Sequence, residues 1–345
     1  MPGFGLRPRR LRLDPDPAFG DGELRRARDA AAMGGWEAVR DLLAGTGEDW
    51  QLRTHRITVL ANAALGLEWP RAWQLAEPGN PDAHTVAVHA EAVRLHGMII
   101  RRDPAATDQA AISFVTGARE AAERSPLDPT PWISLLSLAG VLGDSGIEVA
   151  RWSDLSFESG ARSWLWFQEA VARHPDSWHA HHRMHEAQLA RLRTGPAHDL
   201  VSLLDFATAA AAHAPVDSPL RVLPLWAHTE LRLGGVAGLL SPAEREWLAQ
   251  RNEQDVEDAY RQWFRGQDPA KHPAAPYDLN ILAYQLVETG RRALAGPVFS
   301  AIGSAATTAP WAQAARLSGA TSGPEAFLAA RAAAESASRS GPPPP

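Results

Sequence analysis

The sequence predicts an all-α protein, an irregular right-handed solenoid of helical hairpins, and three observations carry that prediction. Runs of Ala, Leu, Arg and Glu, which lose little side-chain freedom in a helix, dominate the chain. Period-two stretches of Val, Ile, Thr and Tyr, which mark half-buried strands, are nearly absent. Gly and Pro, 27 of each, punctuate apolar runs of helical period instead of gathering in one region. At 345 residues and 45% hydrophobic, the chain can bury a large core as two domains or as one elongated array.

Residues 1–20 read as a flexible N-terminal arm, interrupted by Pro2, Pro8, Pro15 and Pro17. Its basic residues Arg7, Arg9, Arg10 and Arg12 precede no apolar segment, which does not fit a secretory leader. A helical-repeat array is expected over 21–265. Its first hairpin pairs a helix over 24–33 with one over 36–43 across Gly34 and Gly35, and helices near 49–65 and 82–98 follow. A theme then recurs: a helix of Ala and bulky apolars, a proline, a short acidic turn, and a Trp or Leu opening the next helix. It passes through Pro126 and Pro129, then Pro175, then Pro215 and Pro219, at uneven intervals that suit irregular hairpins better than identical repeats.

Ser241-Pro242-Ala243-Glu244 places a capping hydroxyl, a proline at the first helical position and a glutamate at the third, so the free amides of a helix start are satisfied. Asn252, with Glu253, Asp255, Glu257 and Asp258 behind it, reads as the acid-rich start of another helix running to Phe264. Residues 266–277, with Gly266, Pro269, Pro273 and Pro276, are the expected linker. A hairpin and closing helices are expected over 278–335, one of them capped by Ser322-Gly323-Pro324-Glu325, and 336–345 reads as a disordered tail.

The stretch from Asp278 to Pro310 carries the most specific spacing. Leu282, Ala283 and Leu286 share one face of a helix, Gly290 interrupts, Ala295, Phe299 and Ile302 share a face of the next, and Pro310 closes the unit. This resembles a tetratricopeptide repeat, in which small residues and an aromatic four positions on let two helices pack closely. The chain from 20 to 310 is similar to uncharacterised tetratricopeptide-like proteins of actinobacteria. The likeness rests on Gly34-Gly35-Trp36-Glu37-Ala38-Val39-Arg40, on Trp50-Gln51-Leu52-Arg53 and on the block from Pro175 to Leu231. It implies a helical fold and leaves the function unassigned.

Composition narrows the chemistry. The net charge of −6 comes from 40 acids and 34 bases spread along the chain, which gives no footprint for nucleic acid or another polyanion. Lys271 is the only lysine. Cysteine is absent, so disulfides, thiolate nucleophiles and thiolate metal sites are excluded. No run of about eighteen apolar residues occurs, and a cytoplasmic protein with no membrane partner and no cofactor is expected.

One polar cluster stands out. Of the 13 histidines, His174, His179, His181, His182 and His185 fall within a single short stretch. At about 100° per residue, Trp178, His181, His185, Leu189 and Leu192 share a helix face, with His182 at its border. Histidines four apart can hold one metal ion, and if one were bound His181, His185 and Glu186 would be the ligands. The order His182-Arg183-Met184-His185-Glu186 nonetheless lacks the general base of a zinc peptidase. The same spacing suits rings packed against a neighbouring helix. Gly143-Asp144-Ser145-Gly146 looks like a protease serine neighbourhood but sits after an apolar helix, where a helix-ending turn is the better reading. Gly234-Gly235-Val236-Ala237-Gly238 follows a helix and lacks the strand of a phosphate loop. The 13 tryptophans include Trp36, Trp132, Trp178, Trp226 and Trp311 at or near helix starts, where a flat ring fills the wedge between hairpins.

These features point to a protein- or peptide-binding adaptor or regulatory scaffold, not an enzyme, with Trp178, His181, His182 and His185 on or beside the binding face. The alternative is a metal-dependent enzyme with its site between His174 and His185.

Overall fold

A computed structural model describes residues 13–142, 159–194, 199–234, 240–265 and 271–340. Every regular element among them is helical. The chain divides into two compact units, one formed by Gly20–Ala274 and the other by Met1–Phe19 with Ala275–Pro345.

The larger unit begins with α1 (Gly22–Ala32), α2 (Glu37–Thr46), α3 (Trp50–Ala63) and α4 (Trp69–Ala76). It continues with α5 (Pro81–Ile100), α6 (Asp108–Arg124), α7 (Thr130–Leu142), α8 (Ser159–Arg173), α9 (Trp178–Thr194) and α10 (Asp199–His213). A 3-10 turn (Pro219–Val222) leads into α11 (Leu223–Leu233), and α12 (Pro242–Asp258) runs on into a π-helical segment, Ala259–Phe264. Local chemistry sets the starts. Asp21, Asp49, Asn80 and Thr107 each accept a backbone amide hydrogen bond at the head of α1, α3, α5 and α6. The expected capping box is present: Ser241 Oγ accepts from Glu244 N–H at 3.3 Å, and Glu244 accepts from Ser241 N–H at 2.7 Å.

Odd and even helices play different parts. α5 packs between α3 and α7, and α7 between α5 and α9, while α6 lies against both α5 and α7 and α8 against both α7 and α9. The starts of α3, α5, α7 and α9 lie at one end. Near the head of α3, Arg53 pairs with Asp82 in the first turn of α5, Thr54 Oγ1 lies 3.2 Å from Thr130 Oγ1 of α7, and Gln51 meets the head of α9. Parallel helices in this order need even-numbered helices as return strokes. Their apolar seams are filled by Phe114, Ile133, Leu135, Leu136, Trp166 and Phe167, and further along by Leu203, Leu204, Leu223 and Leu231.

The second unit holds α13 (Ala275–Glu288), α14 (Arg292–Ile302), α15 (Trp311–Ser318) and α16 (Gly323–Ser340). α14 packs on α13 and α16, and α15 on α16. Leu282, Leu286, Phe299 and Ile302, expected to share a core, are all buried. Gly290, at φ +77°, makes the left-handed turn between α13 and α14. Phe299, Trp311 and Phe327 form an aromatic triangle with centroids 5.3–5.8 Å apart. Asn280, fully buried, is its polar hub. Its amide donates to Pro276 O and Ala305 O at 2.7 and 2.9 Å, and its Oδ1 accepts from Trp311 Nε1 at 2.7 Å and Thr307 N–H at 3.4 Å. Where α14 meets α16, a Cβ at Gly296 would overlap Ser338 Oγ, which itself lies 2.9 Å from Ala293 O.

The structure departs from the sequence reading at several boundaries. Asn252 starts no helix: it lies inside α12, which the Ser241 box initiates and no Gly or Pro interrupts before residue 259, so the acids from Glu253 to Asp258 occupy its last turns. α13 begins at Ala275, inside the expected linker, because Pro276 fits a first turn that needs no amide. α16 runs to Ser340, past the expected start of the tail, on a run of Ala, Ser and Arg with no break. In the arm, Asp14 N–H donates to Ser304 O at 2.8 Å and Phe19 meets Tyr277 edge-on at 4.8 Å. Residues 1–12, 143–158, 195–198, 235–239, 266–270 and 341–345 lie outside the described residues, and with them the Gly143–Gly146 turn and most of the Gly234–Gly238 run. Among the described residues no helix is long and apolar enough to cross a membrane.

Candidate functional site

The polar centre of the larger unit lies where α3, α5, α7 and α9 meet. Its frame is a buried ion network at the helix heads. Arg53, 6% exposed, donates to Leu43 O at 3.0 Å, pairs with Asp82, and has Nε 3.6 Å from Asp128 Oδ2. Burial pushes the Asp128 carboxyl up, against the hydrogen bonds from Thr130 and the Arg53 charge. Gln51 clamps α3 to α9: its amide donates to Asp176 O at 2.5 Å and its carbonyl accepts from Trp178 N–H at 3.3 Å.

One helical turn further in, the hydrogen bonds fix a tautomer. Ser134 Oγ donates to Thr130 O at 2.8 Å, so it must accept from the Nδ1–H of His89 at 2.8 Å, which leaves Nε2 of His89 to accept from Thr58 Oγ1 at 3.3 Å. His89 is therefore neutral and fully paired. Burial, then the Arg183 charge, pushes it down to about 3.

The residues expected at the site are all in the interior: Trp178 is 8% exposed, His181 8%, His182 5% and His185 2%. The structure brings two of them together and separates the others. His182 stacks on Trp178 at 3.8 Å and meets the edge of Trp226 at 5.0 Å. His181 faces elsewhere, edge-on to Phe167 at 5.0 Å, and its Nδ1–H donates to Ser177 O at 2.8 Å. Neither ring nitrogen of His185 has a hydrogen-bond partner, and burial pushes this group down to about 4. Glu186 is on the solvent side, paired with Arg183 at 2.6 Å. Among the described residues no three His, Asp or Glu side chains are grouped to hold a metal ion.

Sequence reasoning missed His55, His89 and His272, and saw His179 only as a member of the cluster. His55 of α3 lies with its ring centroid 6.1 Å from that of His179. His179, entirely buried, has its Nε2 unpartnered and is held well below the usual histidine range by burial and then by His55, Arg183, His89 and His182. His272, more than two hundred residues from His55 in sequence, lies near enough to His55 and His174 for their charges to act on it. Only His89 carried a local signal, four residues after Thr85 on one face of α5.

A second feature is open to solvent. A cleft of about 550 Å³ lies over α5 between α4 and α6, with Leu65 and Leu67 at its rim, 54% and 39% exposed, and Val88, Phe114 and Gly117 in its lining. Arg94 in its wall is tied to Glu91 at 2.5 Å. Comparison with known proteins finds no family model, no curated protein and no solved structure that matches this chain.

Proposed function

We propose that the chain is an interaction scaffold, a tetratricopeptide-like solenoid of helical hairpins that binds a segment of a protein partner. The observation that carries this reading is the side-by-side order of α3, α5, α7 and α9, with α6 and α8 packed as return helices between successive members. Stacked hairpins of this kind expose extended grooves for peptide segments. In this reading Trp178, His181, His182 and His185 hold the seam and touch no partner, since each is buried. The binding face is the cleft over α5, which takes an apolar side chain of a partner segment between Leu67 and Phe114.

The test is a displayed peptide library panned against the purified protein, followed by titration of enriched peptides. A Cβ at Gly117 would make only an ordinary 3.7 Å contact with Val88, so the backbone there accepts a side chain, and Gly117→Leu would place one in the cleft, with circular dichroism recorded to check that the fold is kept. Enriched peptides should bind the wild type and lose at least about tenfold with Gly117→Leu or Leu67→Asp, the effect of about 1.4 kcal/mol. Failure to enrich any peptide would end the scaffold reading. Equal binding to both variants would keep the scaffold and reject the cleft.

A further inference from the structure

We propose that residues 271–274 form a strap that acid releases: protonation of His272 breaks the turn's own hydrogen bond and lifts it from α3 and the α8–α9 turn. The geometry starts from one contact. His272 Nδ1 accepts from Ala274 N–H at 3.1 Å, so the single proton of the neutral ring is on Nε2. That Nε2 is buried without a hydrogen-bond partner, and Ala274 is fully buried. A second proton has only Nδ1 to go to. It would set N–H against N–H, so the charged ring cannot keep the Ala274 bond, and it would strand a cation where no acceptor faces it.

The surroundings offer that cation nothing. From α3 comes His55, and from the α8–α9 turn comes His174, whose own Nε2 is buried without a partner. From α9 comes His182, which is basic as well. The strap itself adds Lys271. The nearby acids, Asp176 and Asp49, act on His174, and Asp49 is engaged in capping α3. Asp82 and Asp128 are both engaged with Arg53 at the helix heads. Burial first, then His55 and His174, pushes His272 down to about 3, so the ring is neutral in place and takes up its proton on leaving. With a free-histidine value near 6.5, the released state gains about tenfold in population per freed histidine between pH 7.5 and 5.5.

Lys271 makes the strap directly addressable, because as the only lysine it is the one place a lysine-specific protease can cut. The full chain would be digested at pH 7.5 and 5.5, each rate taken relative to the urea-denatured chain at the same pH, with near-ultraviolet circular dichroism recorded alongside. Cutting should be slow at pH 7.5 and rise at least about tenfold at pH 5.5 while the dichroism holds. His272→Asn keeps an acceptor for Ala274 N–H but cannot charge, and its rate should change less than about twofold. His174→Gln, a second variant independent of the first, should lower the pH at which wild-type-like cutting begins. Rapid cutting at pH 7.5, no rise at pH 5.5, the same rise in His272→Asn, or loss of dichroism together with the rise would each overturn the proposal.

Discussion

The two units solve the same packing problem with opposite chemistry. All 13 histidines lie between His55 and His272, and therefore within the unit formed by residues 20–274. The unit containing α13–α16 has none, and its centre is the Phe299–Trp311–Phe327 triangle around one fully bonded Asn280. In the larger unit several of the central polar atoms are buried without partners, including both nitrogens of His185 and the Nε2 of His179. An apolar core with a satisfied hub is indifferent to protons. A core of neutral imidazoles is stable only while it stays neutral, so its stability depends on the solvent.

Acid should therefore separate the units, and by the largest effect. His89 and His272 are pushed down to about 3 and His185 to about 4, all below the free value near 6.5. A depressed histidine contributes fully above pH 6.5 and loses that contribution as pH falls through 6.5 toward its folded value. At pH 5 each such group costs about 2 kcal/mol, which for three approaches the whole stability of a typical domain. Segment-resolved hydrogen exchange, corrected for intrinsic rates, should show protection lost across α3, α5 and α9 at pH 5 and retained in α13–α16. Equal loss in both units would dissolve the contrast.

Phe299→Ala attacks the other side of the comparison. Removing a fully buried ring from the aromatic triangle should cost about 3–5 kcal/mol, with the same penalty at pH 8 and pH 5. Chemical denaturation followed by exchange in α14 and α16 would measure it, and an unchanged midpoint would mean that the ring carries no packing. The smallest effect sharpens the contrast from within the histidine-rich core. His185→Leu replaces a ring with no hydrogen bonds by an apolar side chain of similar size, and should raise stability by about 1–3 kcal/mol at pH 8 and by more at pH 5. A lower melting temperature at both values would show that His185 has a partner worth keeping.

The sequence made the helices legible and hid the centre they surround. The spacing from Gly290 through Ala295 to Phe299 and Ile302 is local, set by the helical period, and the structure buries those apolar positions as expected. α4 escaped because Trp69-Pro70 reads as a break, whereas the proline occupies a first turn and Trp73 behind it is fully buried, its ring 5.9 Å from that of Trp36. The histidine cluster was visible as composition, but its directions were not. Consecutive positions on a helix diverge by about 100°, so His179, His181 and His182 leave α9 three ways and meet His55, Phe167 and Trp226. His272 joins them from a distance that no local period encodes.

The seam between α14 and α16 limits which mutations the second unit can accept. In a chain this rich in alanine, glycine-to-alanine exchange is a frequent substitution, and most of the described glycines where a methyl group would meet open space sit at positive φ, where the backbone itself resists a side chain. At Gly296 it would strike the Ser338 hydroxyl, which lies 3.0 Å from Ala334 O as well as against Ala293. One added carbon would thus turn the Ser338 hydroxyl away from Ala293 O and Ala334 O, and its effect would be confined to those hydrogen bonds in the last turns of α16. A position where an added methyl group meets a rotatable hydroxyl reports that hydroxyl's grip on the neighbouring helix, and Gly296→Ala should lower hydrogen-exchange protection only in the last turns of α16.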